Sequence, residues 1–161
     1  GLHEVFRPVR DFMADVPLNN GQYSDLAAVV SRPDDVLVLG QKDTAGGRAH
    51  AWVQNRRHTW CAVVGGVAEC PYVWDSSRLS GTVTIGGFAP GTSYPVQWVT
   101  FDTAGAPTPQ PPGTVTADAA GNLVLALDQL PASAADAAAK IGASVPQPGV
   151  PSAPRNLRIQ P

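Results

Sequence analysis

The chain has 161 residues, 43% of them hydrophobic and 15% charged, with 16 glycines, 16 prolines and a formal net charge of −2. That length holds one domain with a real core plus appendages; the balance excludes a disordered polyelectrolyte, a membrane-spanning apolar run, and a basic field that would draw nucleic acid or an anionic membrane. Few charges beside many turn formers suit short strands joined by turns, an all-β domain.

The opening GLHEVFRPVRDFMADVP places Leu2, Val5, Phe6, Val9, Phe12, Met13 and Val16 at helical spacing. This predicts a short N-terminal helix with one apolar stripe to dock. Pro8 fits the first turn, where its missing N–H costs nothing, and Pro17 ends the helix. The stripe begins at the first residues and no signal sequence precedes it, so residues 1–24 are expected to join a domain upstream in a longer protein. From Asp25 the period changes. VLVLGQKD (36–43) is an apolar run ending in turn residues, and TAGG followed by RAHAWVQN (48–55) reads as a hairpin. Ala49, Ala51 and Val53 then share one face, while Arg48, His50, Trp52 and Gln54 share the other. RRHTW is expected to turn away from that strand, with Arg56 and Arg57 solvated, Asn55 bonding its own turn backbone and His58 a polar loop residue.

In CAVVGGVAEC, Cys61 and Cys70 lie nine positions apart around a Gly-containing loop. Their spacing favours a disulfide over two free thiols. Such a bond contributes about 2–3 kcal/mol by restricting the unfolded chain, and it implies an oxidising compartment. PYVWD puts Tyr72 and Trp74 on one side of an extended segment, with Cα atoms roughly 6.6 Å apart. GTVTIGGF (81–88) is a strand, and PGTSYPVQWVTFD (90–102) a turn and a strand in which Val96, Trp98 and Thr100 alternate with Gln97, Val99 and Phe101. AGAPTPQPPG (104–113), with four prolines, reads as a loop; TVTAD (114–118), AAGN and LVLAL (123–127) read as a last hairpin. ADAAAKI (135–141) suits either a helix or a final strand. Roughly seven turn-punctuated strands give an Ig-like antiparallel β-sandwich over residues 25–142. Residues 143–161 contain the Pro-rich linker QPGVPSAPRNLRIQP.

No catalytic constellation emerges. His3, His50 and His58 match no nucleophile elbow or triad motif, and His50 and His58 are eight apart across a turn, away from zinc-ligand spacing. Asp34 and Asp35 could supply a calcium ligand from a loop, but they read as ordinary turn aspartates in preference. Glu4, Glu69 and eleven aspartates are scattered mostly through turns. Neither metal nor cofactor is expected. The aromatics remain: Trp52 and Trp98 are assigned to the core or an interdomain seam, and Trp60, Tyr72 and Trp74 are the candidate carbohydrate-binding residues, able to stack on sugar rings without charge.

The succession DDVLVLGQKD, GRAHAWVQNRRHTW, SGTVTIGGFAPGTSYPVQWVTFDTAG and TVTADAAGNLVLALDQLPASAADAAAKI resembles the C-terminal β-sandwich that follows the catalytic (β/α)8 barrel in many secreted bacterial glycoside hydrolases of the cellulase-like superfamily. The shared elements are GxVTIxGFxPGTxYxVxW, Asp102 and GNLVLxL. Where relatives have a WWDTYTG pattern, this chain has QWVTFDTAG, which replaces aromatic and acidic side chains. The opening helix resembles the end of such a barrel, and PSAPRNLRI resembles the first strand of a fibronectin type III domain. The resemblance implies a secreted, non-catalytic accessory domain with polysaccharide as a possible partner, alongside the neighbouring catalytic and fibronectin type III-like domains. A structural spacer is the alternative, with a small glycan-active enzyme behind it.

Overall fold

A computed structural model describes Arg10, Phe12, Met13, Val16 and residues 21–43, 45, 47–58, 78–103 and 105–142. The hairpin expected from VLVLGQKD and RAHAWVQN forms with the expected boundaries. With two short strands ahead of it, β1 (Tyr23–Asp25) and β2 (Ala28–Val30), it comprises β3 (Val36–Asp43) and β4 (Arg48–Asn55), paired antiparallel from Asp43↔Arg48 to Val36↔Asn55. Its closed end is tied by a buried ion pair: the Arg48 guanidinium lies 3.3 Å from Asp43 Oδ2, and Asp43 Oδ1 accepts the Ala45 N–H at 2.9 Å. Alternation is strict along β4, where Ala49, Ala51 and Val53 are buried and Arg48, His50, Trp52 and Gln54 lie on the other, part-exposed face.

The chain continues through β5 (Thr82–Ile85), β6 (Ser93–Phe101), β7 (Pro107–Pro109), β8 (Gly113–Thr116), β9 (Leu123–Ala126) and β10 (Asp136–Ile141). The larger sheet runs β1-β3-β4-β10-β6, and the far edge of β6 is shared by β8 along Ser93–Val96 and β7 along Val99–Phe101. The smaller sheet is β2-β5-β9. All pairings among the described residues are antiparallel. The two sheets enclose one core, to which β4 and β10 contribute small residues (Ala49, Ala51, Ala137, Ala139) and β5 and β9 larger ones (Val83, Ile85, Leu123, Leu125). Each fully buried leucine or isoleucine there contributes about 1.5–3 kcal/mol of apolar burial. The protein is an Ig-like antiparallel β-sandwich.

Two expectations need correction. TVTAD and LVLAL do not form a hairpin: β8 pairs with β6 in the larger sheet and β9 with β5 in the smaller one. The AAGN turn is real, since Asp118 Oδ1 accepts the N–H groups of Ala120 (2.8 Å) and Asn122 (2.9 Å), but it carries the chain from one sheet to the other. Gly121 is needed there, with φ +79° and the Phe88 carbonyl oxygen only 2.4 Å from where a Cβ would sit. AGAPTPQPPG is not all loop. Pro107–Pro109 forms an edge strand, which proline tolerates because an edge can point its missing donors away from the ladder. Among the described residues no helix of seven residues or more is seen, and most of the expected N-terminal helix, residues 1–17, lies outside them.

ADAAAKI resolves to strand β10, inserted between β4 and β6. Alanine's helix propensity yields to a central position in the sheet, where Ala137, Ala138 and Ala139 are all buried between β4 and β6. Ala137 and Ala139 face the core; Ala138, on the outer face, is flanked in register by Trp52 and Val99 and is also buried. The PGTSY stretch acts as a corner. Tyr94 OH accepts the Ala89 N–H at 3.0 Å, and its ring meets Phe88 edge-on at 4.8 Å.

Candidate functional site

The polar cluster that closes AWVQNRRHTW forms a corner where β4 ends beside the starts of β3 and β10. Residues 56–58 make one turn of 3-10 helix. Asn55 Oδ1 accepts the Arg57 N–H at 2.9 Å, as expected of a residue that bonds its own turn. Arg57 and His58 depart from expectation. Arg57 Nε donates to Asp35 Oδ1 at 2.7 Å, and Arg32 pairs with the other oxygen of the same carboxylate. His58 is no loop residue in solvent, because its side chain is only 14% exposed and Nδ1 lies 3.7 Å from Asp136 Oδ2. Asp136 Oδ1 accepts the Asn55 N–H at 2.8 Å.

The two carboxylates of this corner are driven in opposite directions. The hydrogen bond from Arg57, helped by the charges of Arg32 and Arg57, holds the Asp35 carboxyl below its usual value against a smaller cost of burial. Burial pushes the Asp136 carboxyl up, and the Asn55 amide and His58 only partly offset it. An elevated acid beside a histidine is the raw material of acid–base chemistry. Here, however, both Asp136 oxygens are engaged with the chain itself, and Asp35 is clamped by two guanidinium groups, which removes it as a calcium ligand. The corner locks β4 to the start of β10 and to the turn before β3.

The aromatics divide between two surfaces. Trp52 lies on the outer face of the larger sheet, its ring 4.8 Å from that of Phe101. It belongs to a row in register, Leu39–Trp52–Ala138–Val99, in which Leu39 is 56% exposed. Trp52 therefore does not fill the core but belongs to an apolar row on the outer face, among polar residues of the same strand. Trp98 packs against the core from the other face of β6 and also lines a cleft of about 210 Å³. The cleft lies between β8 and the end of β9, and Gln110, Pro111, Thr114, Leu125 and Gln129 line it with Trp98. Sequence reasoning missed Gln110 and Gln129: the first sat in a segment read as loop, the second in the crossover after LVLAL, and neither carries a motif. Trp60, Tyr72, Trp74, Cys61 and Cys70 lie outside the described residues.

Among the described residues no group of three or more His, Cys, Asp or Glu side chains is placed to hold a metal ion, and no helix is long and apolar enough to cross a membrane. No family model, no curated protein and no solved structure matches the chain.

Proposed function

We propose that the chain is a non-catalytic accessory β-sandwich of a secreted, multidomain polysaccharide-degrading protein, seated on a neighbouring domain of the same polypeptide. The observation that carries this reading is the apolar row Leu39–Trp52–Ala138–Val99, with Phe101 against Trp52, on the outer face of a sheet whose inner face already holds the core. A half-solvated antiparallel sheet alternates apolar inside with polar outside; an apolar row crossing the polar face calls for a partner of its own. The stripe Leu2, Val5, Phe6, Val9, Phe12, Met13 and Val16 points the same way, as an upstream junction with its own surface to bury. The resemblance to the sandwiches that follow cellulase-like barrels supplies the class of neighbour. The polar corner belongs to the fold, since its ionisable groups are spent on one another and on backbone.

Two measurements test the reading. Hydroxyl-radical footprinting compares Leu39, Trp52 and Val99 in the isolated chain and in a chain extended through the preceding domain; protection in the longer form is expected, and equal labelling in both removes the docking face. A reducing-sugar assay of the 161-residue chain on cellulose, xylan, mannan and chitin is expected to give no release, and turnover overturns the non-catalytic assignment.

A further inference from the structure

We infer that the cleft floored by Trp98 binds one ring of a neutral glycan. This rests on the accessory reading above and places the ligand at residues distinct from Trp60, Tyr72 and Trp74.

Charge is the first argument. None of the cleft's lining residues is ionisable, so it offers nothing to a phosphate, a carboxylate or an ammonium group, and a neutral ligand is the one it suits. Size is the second. At about 210 Å³ the cleft falls below the range of about 300–1,000 Å³ usual for drug-sized ligands, which leaves room for a single ring of a chain whose neighbours lie outside.

The third argument is the orientation of Gln110. Its backbone N–H donates to Trp98 O at 2.9 Å, and its side-chain Nε2 donates to Thr100 Oγ1 at 2.8 Å and to Thr108 O at 3.1 Å. Because the Thr108 carbonyl can only accept, the amide is fixed with nitrogen toward β6 and β7, and Oε1 is left as an acceptor. The β7 edge strand, irregular as it is, thus holds Gln110 in place before any ligand arrives, and that pre-organisation lowers the entropic cost of binding. An acceptor needs a donor. A hydroxylated ring supplies hydroxyl groups that both give and receive, which suits a lining that carries two side-chain amides and a hydroxyl, those of Gln110, Gln129 and Thr114. Its apolar C–H face suits the half-buried indole of Trp98. A proline-rich peptide is the other neutral ligand that tryptophan-lined grooves take, with fewer donors to offer Gln110 than a hydroxylated ring because its prolines carry no N–H.

The test is a ¹H–¹⁵N titration of the 161-residue chain with cellohexaose, xylohexaose, mannohexaose and chitohexaose, following the Trp98 Nε1–H and Gln110 Nε2–H₂ signals. At least one oligosaccharide is expected to shift both. Trp98→Ala is expected to weaken binding at least tenfold and Gln129→Ala about threefold to fivefold. Gln129 is exposed, so its variant keeps the test valid if Trp98→Ala fails to fold. No shift with any of the four sugars overturns the inference while leaving the docking face to its own footprinting test. Binding unchanged in Gln129→Ala but lost in a Trp60/Tyr72/Trp74 alanine triple overturns this site while keeping glycan affinity. Shifts with a peptide of sequence VPQPGVPSAP, and none with sugars, overturn the ligand class.

Discussion

The corner around Asn55 and the cleft around Trp98 use similar polar chemistry to opposite ends. In the corner, amide, guanidinium, imidazole and carboxylate groups satisfy one another: Arg57 with Asp35, His58 and the Asn55 amide with Asp136. In the cleft, Gln110 spends its nitrogen on the chain and keeps its oxygen, and Gln129 is exposed. A cluster rich in ionisable residues is therefore a fastening, and a cleft with none is the better place for a ligand. Density of reactive side chains is a poor guide to function when their partners are already in the fold.

Substitutions sharpen this contrast. The largest effect is expected beneath the cleft, where Leu125 is both lining and core: Leu125→Ala should cost about 2–5 kcal/mol in urea unfolding, and a loss under 1 kcal/mol means the floor is not part of the packed interior. Next comes the corner. Asp136→Ala leaves the Asn55 N–H without its acceptor, a loss of about 1–3 kcal/mol, read as a lower midpoint at unchanged slope. Arg57→Met should cost less, about 0.5 kcal/mol, because Arg57 is 40% exposed and solvent screens its pair with Asp35. A cost as large as that of Asp136→Ala breaks the ranking. Gln129→Ala, on the rim, is expected to stay within about 0.5 kcal/mol of wild type while weakening the glycan titration.

The opposed carboxylates add a pH test. Asp136 is raised above 3.8 in the folded chain, so the folded state holds its proton more tightly and stability from this group falls as pH climbs from 3.8 through the raised value. Asn at this position keeps an acceptor for the Asn55 N–H without the charge. Asp136→Asn should therefore gain on wild type as pH rises through that window. Asp35 is lowered, so its contribution is present above 3.8 and is lost as pH falls through its folded value; Asp35→Asn should approach wild type in acid. Urea midpoints between pH 3 and pH 7 check both signs, and a constant gap in either series contradicts the corresponding assignment.

What could be read from the amino-acid sequence was local. The alternation of Ala49, Ala51 and Val53 against His50 and Trp52 identified the faces of β4, and Asp43 and Asn55 bounded the hairpin. Period two tells which side of a strand faces inward; it does not tell which strand lies beside it. Hence TVTAD and LVLAL read as neighbours although the Asp118 turn sends them to different sheets, and ADAAAKI stayed ambiguous because its strand identity depends on β4 and β6 far away in the chain. Trp98 could be placed on an inward face, but not in the lining of a cleft, because the other wall comes from residues 125–131. Arg57 and His58 gave no sign that Asp35 and Asp136 would meet them, 22 and 78 positions away.

The position of β10 bears on how the molecule is made. Its pairing of Ala137–Ile141 with β4 and of Asp136–Ile141 with β6 fills the middle of the larger sheet with the last strand described. During synthesis, β4 and β6 must wait with bare hydrogen-bonding edges until residue 141 clears the ribosome, when one zipping event joins the two halves. A nascent polypeptide stalled before that point is the species in greatest need of a chaperone.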